Sequence, residues 1–286
     1  MRPLPFANCL QGALFFLLML TEPASLPAAD DAKTRLQKAE ALFQERCKTA
    51  GEFIHRTADN VEGLFLMKLR PNRINYQDQF ALDDPYGRDL GGEGYILTFI
   101  RGSYQAQTTG RPAPGAPPRL GYRYVEANEP LNGKRYRYTG SMKVVSRQDP
   151  DAPNVQVELK RNPNYDLNNY AFMLDRVPAT GQTPRYGVTY DDISTREDRD
   201  YWIAGSSLKV VDLKTNEVMA ERIGYMMDRG QGNISGGRAP WLLAANTACP
   251  SFHRNPNIPL TVPAFNAQPH QTQDFVEKVL KPIQEK

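Results

Sequence analysis

Residues Leu120 to Val145, LGYRYVEANEPLNGKRYRYTGSMKVV, decide the fold class. Two strand-like runs, Leu120 to Glu126 and Lys134 to Val145, flank Asn132-Gly133. That dipeptide readily takes the positive φ angles of a tight turn, so the stretch reads as an antiparallel hairpin. Trp202 to Asp212 and Glu217 to Asp228 form a second expected hairpin, turned through Leu213, Lys214, Thr215 and Asn216. Further strand-like runs are Val61 to Arg70 (stopped by Pro71), Tyr95 to Arg101, Val155 to Lys160 and Arg185 to Tyr190.

Helical spacing is confined to the two ends. Leu36, Ala39, Leu42, Phe43, Cys47 and Ala50 recur at three- and four-residue steps, which predicts a helix over 31–60 with Gly51 ending or kinking it. Thr272 to Lys281 reads as a short closing helix with Phe275, Val279 and Leu280 on one face. Strands outnumber helices, and no β–α alternation is present. The expected class is α+β: a mostly antiparallel β-sheet domain with an N-terminal helix and a short C-terminal helix. Without an internal repeat or a linker, residues 30–286 read as a single β-rich domain. Gly102 to Pro118 (GSYQAQTTGRPAPGAPP) reads as a mobile Pro/Gly-rich loop within it.

The first 29 residues give an address. Arg2 is a basic start, Leu10 to Leu20 an apolar run, and Ala28 and Ala29 small residues before Asp30. This is the order of a secretory signal peptide, with cleavage expected near Ala28 or Ala29; an N-terminal membrane anchor that is kept is the alternative. The apolar run is 11 residues, short of the roughly 20 a spanning helix needs. Export predicts a periplasmic location with no stable membrane insertion after cleavage. It leaves two of the three cysteines, Cys47 and Cys249, which in an oxidising compartment are expected to pair; two buried thiols are the alternative.

A net charge of +3 argues neither for nucleic acid nor for an anionic membrane surface. Hydrophobic content of 40%, with 14 Tyr and 12 Phe, is enough for a packed core. No G-x-S-x-G elbow, H-E-x-x-H or paired C-x-x-C is present, so no catalytic residue, cofactor or metal is assigned. Asp83, Asp84 and Asp89 cluster in DDPYGRD, yet lack the alternating acidic positions of a calcium loop and read as a turn bonded to its own backbone. Gly91-Gly92-Glu93-Gly94 precedes a strand-like run, so it offers no helix N-terminus to an anion. Gly230 to Gly237, with Pro240 close behind, also reads as a loop. Among three histidines, His55 or His253 with one of those carboxylates would be needed for a hydrolase; a non-catalytic envelope binding protein is a further alternative.

Asp191 to Asp200 (DDISTREDRD) is a charge run followed by Tyr201 and Trp202. It reads either as a solvated loop or as the rim of an interface, where charges steer association and aromatic anchors bind. The block Cys47 to Arg101 supplies a resemblance. Its runs CKTAGEFIHRTADNVEGLFLMKLRP and FALDDPYGRDLGGEGYILTFIRG resemble the periplasmic immunity proteins of type VI secretion lipase effectors. The resemblance covers about residues 47–101 and contains no active site. It implies a non-enzymatic protein that binds and neutralises a lipase-type toxin, protecting the producing cell. Tyr86, Arg88, Asp191, Asp192, Tyr201 and Trp202 are the candidate partner contacts.

Overall fold

A computed structural model of the chain describes residues 31–72, 77–81, 84–87, 91–103, 120–252, 268 and 271–284. The expected signal peptide, most of the 102–118 stretch, Asp83, Arg88, Asp89, His253 and His270 lie outside the described residues.

The chain opens with α1 (Ala32–Cys47), whose first turn is capped by the Asp31 carboxylate accepting from the N–H groups of Lys33 and Thr34 at 2.8 and 2.9 Å. Where helix was expected to 60, three short strands follow instead: β1 (Gly51–Ile54), β2 (Ala58–Val61) and β3 (Gly63–Leu66). A five-residue helix, α2 (Glu93–Leu97), precedes the hairpin of β4 (Tyr124–Asn128) and β5 (Arg135–Arg147). Then come α3 (Pro153–Arg161), β6 (Asn168–Pro178), β7 (Tyr186–Asp192), α4 (Arg196–Asp200) and the hairpin of β8 (Ile203–Asp212) and β9 (Glu217–Met227). The last elements are α5 (Pro240–Ala244), β10 (Ala248–Cys249), α6 (Gln271–Val279) and β11 (Leu280–Pro282).

Nine strands form one sheet in the order β1-β9-β8-β7-β3-β4-β5-β6, with β10 also on β9. β3 runs parallel to β4 and β7; every other pair in this sheet is antiparallel. A separate parallel pair joins β11 to β2. The class is α+β, as the sequence predicts.

Pleating puts alternate residues on opposite faces. Along matched register positions one face carries Leu64, Leu66, Val125, Ala127, Tyr138, Val188, Tyr190, Leu208, Val210 and Ala220, all buried. Tyr95 and Ile96 of α2, Phe99, Ile100 and the Phe275, Val276, Val279 stripe of α6 pack on this face and complete the main core. The buried Tyr122 hydroxyl donates to the Leu280 carbonyl at 2.6 Å, and burial raises its pKa well above the ordinary tyrosine value. On the opposite face α1 covers only one end, where Ala39 meets Ile203, Tyr225 and Met227.

Four local expectations change. Tyr95 to Arg101 is a helical turn, because Tyr95, Ile96, Phe99 and Ile100 share one helical face as well as an apolar run. The glycine pair before it therefore does precede a helix, though one of only five residues. Val155 to Lys160 is also helical: Pro153 occupies the first turn and only Val155 is buried. In the first hairpin Asn128 faces Arg135, so the connection is six residues wide and only Gly133 takes a positive φ, +67°.

Candidate functional site

Of the expected partner contacts, Tyr86 and Trp202 are interior, Asp192 and Tyr201 half-buried and Asp191 exposed. Tyr86 is 1% exposed and Trp202 7%; both belong to a buried cluster with Trp241, Phe252 and Met226. The Trp202 and Trp241 rings lie 5.0 Å apart, and Trp202 holds φ +55°, a left-handed conformation unusual for a bulky residue. The Tyr86 ring crosses β9 at Gly224, where a Cβ would come within 2.0 Å of it. Tyr201 is half-buried, with the Arg35 guanidinium 5.2 Å over its ring. Of the two aromatic anchors read from YW, Trp202 is thus a packing residue, while Tyr201 is only partly covered.

Part of the charge run is tied into the fold, and part of it, Asp191, Arg196 and Glu197, stays exposed. Asp192 pairs with the buried Arg199, and Asp198 is buried within α4. Thr195 and Asp198 form a capping box, and Asp198 also accepts from Arg46 of α1 at 2.8 Å. Asp191 stays exposed and lies 3.5 Å from Lys209. In the DDPYGRD turn, Asp84 accepts from the Gly87 N–H at 3.0 Å, from the Ser206 hydroxyl at 2.6 Å and from Arg70 at 3.3 Å. Asp84 is therefore committed to a buried network. His55 sits exposed in the turn after β1, its backbone N–H donating to the Met219 carbonyl. Among the described residues, no group of three or more His, Cys, Asp or Glu side chains is placed to hold a metal ion.

Cys47 and Cys249 are disulfide-bonded, with 5.7 Å between their Cα atoms. The bond joins the end of α1 to β10 at the β9 edge.

A surface the sequence did not single out lies at the other edge. β5 continues past its pairing with β4, which ends at Tyr138, and pairs with β6 as far as Arg147. The two strands form a ribbon whose inner face continues the main core. Tyr136, Phe172 and Leu174 pack against that core, and the Phe172 ring lies over Gly140, where a Cβ would approach it to 2.3 Å. Beyond Gly140 the same face carries Met142, Val144 and Tyr170, which are 50, 54 and 49% exposed. The Tyr170 hydroxyl is oriented by Asp166 at 2.7 Å. On the opposite face Lys143 bonds Asp175 and holds that carboxyl below its ordinary value. β6 is the end strand of the sheet.

An apolar face on a long edge strand is a feature that soluble proteins ordinarily blunt, and where it is kept it marks an interaction surface. The sequence hid it, because Asn168 to Pro178 lacks the alternation of a half-buried strand. No protein family, curated protein or solved structure matches the chain in any of the three comparisons.

Proposed function

We propose that the chain is an exported immunity protein, a non-enzymatic binder that neutralises a type VI secretion lipase effector in the periplasm. The observation that carries this reading is the β5–β6 ribbon, where apolar side chains of the core face run on into solvent beside an end strand. A partner can cover Met142, Val144 and Tyr170, or add a strand to β6 through main-chain hydrogen bonds. Tyrosine is among the residues that dominate such interfaces. The disulfide fits an oxidising compartment. The resemblance over residues 47–101 supplies the class of the partner.

The test mixes the purified mature protein with a purified lipase effector encoded beside it. A one-to-one complex by gel filtration with loss of lipase activity is the expected result. Full lipase activity under excess binder would overturn the reading.

A further inference from the structure

Arg222 stands on the core face of β9, one strand in from the β1 edge of the sheet. Across the sheet its row reads Tyr190, Leu208, Arg222 and Glu52 on β7, β8, β9 and β1. It is 1% exposed, and none of its three guanidinium nitrogens finds a hydrogen-bond acceptor among the described residues. The carboxylate beside it in the row, Glu52, accepts instead from Lys278 of α6 at 2.9 and 3.2 Å. Two aromatic rings and an aliphatic side chain lie near the guanidinium. Leu208 is its cross-strand neighbour, and the Tyr86 and Phe275 rings each have their centres 5.8 Å from its central carbon.

A guanidinium presents five N–H donors and stays charged at any physiological pH. Rings at that distance attract the charge but accept no strong hydrogen bond. A buried charge that is neither paired nor hydrogen-bonded is among the most unfavourable arrangements a fold can hold. Arginine cannot escape by losing its proton, as a buried lysine does. The group that answers it is an anion that presents oxygen pairs to the planar fork. Because Leu208, Tyr86 and Phe275 flank the fork, the anion's remaining body is apolar.

We infer that Arg222 is the receptor for an oxyanion carried on an apolar body, a carboxylate or a phosphate monoester, held between the β8–β9 core face and α6. Tyr86 and Phe275 flank the apolar body, and Glu52 stays with Lys278. The inference stands independently of the effector-binding reading, since the ribbon is at the other edge of the sheet.

The test follows thermal unfolding of the purified protein with octanoate, with monooctyl phosphate and with octanol as a neutral control, at constant ionic strength in chloride. Arg222→Met, Arg222→Lys and Glu52→Gln accompany the parent. One of the two anions should raise the parent's midpoint by several degrees while octanol does not, and which one does so identifies the oxyanion. Arg222→Lys should bind that anion at least tenfold more weakly, and Arg222→Met should not respond. In chloride alone Arg222→Met should unfold no lower than the parent, because it removes an unanswered charge. Glu52→Gln should keep the response. Failure of both anions, an equal effect of octanol, or an unchanged response in Arg222→Met overturns the inference. So does loss of folding in Arg222→Met or loss of the response in Glu52→Gln, since either means that Arg222 has a partner within the chain.

Discussion

Asp198, at the start of α4, takes the Nε–H of Arg46, next to last in α1, at 2.8 Å across 152 residues of sequence. The Asp198 side chain has no exposure, while Arg46 is partly open to water. Its second oxygen accepts from the Thr195 N–H at 2.8 Å, so one carboxylate both caps α4 and anchors α1. The Asp198 hydrogen bond also raises the Arg46 pKa. Asp198→Ala removes a cap, worth about 1 kcal/mol, and a charged hydrogen bond, worth about 1.5–3 kcal/mol. Urea unfolding should show a loss of about 3 kcal/mol, with Arg46→Ala losing less. A loss well below 1 kcal/mol for Asp198→Ala would contradict this assignment.

One residue beyond Arg46, Cys47 bonds Cys249 at a sequence separation of 202. A cross-link of that span restricts the unfolded chain far more than the folded one. On the chain-entropy argument it contributes on the order of 5 kcal/mol. Reduction, or Cys47→Ala with Cys249→Ala, should lower the urea midpoint sharply without changing the sheet signature in circular dichroism. Coincident midpoints for oxidised and reduced protein would show that the bond does not stabilise the fold.

What the sequence made legible, and what it hid, follows from where burial and pattern agree. Both hairpins were legible as strand pairs because turn residues separate two long strand-like runs, although the first connection is wider than the Asn132-Gly133 turn the sequence predicts. The apolar run of Tyr95 to Arg101 fits a strand and a helix equally, and only the surrounding core decides. In Val155 to Lys160 an apparent alternation outweighed Pro153 and the basic last turn, both of which favour a helix. β6 was missed since both its faces are partly exposed. Strand order was not legible at all: nothing local says that β3 inserts between β4 and β7. Tyr86 and Trp202 look like surface anchors by type, but long-range packing makes them core. Arg222 carries one faint signal. Glu221 and Arg222 are adjacent in a strand, so their side chains take opposite faces and one of them must turn inward.

Asp212 closes β8 and gathers two guanidinium groups from distant parts of the chain and one backbone N–H from the turn that follows it. It accepts from Arg185 Nη2 at 2.8 Å, from Arg56 Nη2 at 2.9 Å and from the Lys214 N–H at 3.1 Å. The Arg185 hydrogen bonds, with the Lys214 and Arg56 bonds behind them, hold its carboxyl at about 2, below the ordinary 3.8. A folded pKa below the unfolded one means that the ionised form stabilises the fold. That contribution is complete above pH 4 and disappears as pH falls from about 4 to about 2. Asp212→Asn should therefore be less stable than the parent at neutral pH, and the two should converge near pH 2. Urea midpoints across that range check this, and parallel curves would rule it out.

The ribbon prediction separates binding from folding. Val144 and Tyr170 are half-exposed and lie beyond the packed part of the core face, so changing them should cost the free protein little, within about 0.5 kcal/mol. If the ribbon is the effector contact, Tyr170→Ala should lose at least 2 kcal/mol of binding, about a thirtyfold rise in Kd, as interface tyrosines do. Val144→Glu should lose more, because it also buries an unpaired charge against the partner. Phe172→Ala serves as the contrast, since its ring fills the space over Gly140 and its loss should lower stability. Parent-like effector affinity in both Val144→Glu and Tyr170→Ala, with their folds intact, would move the contact surface elsewhere on the protein.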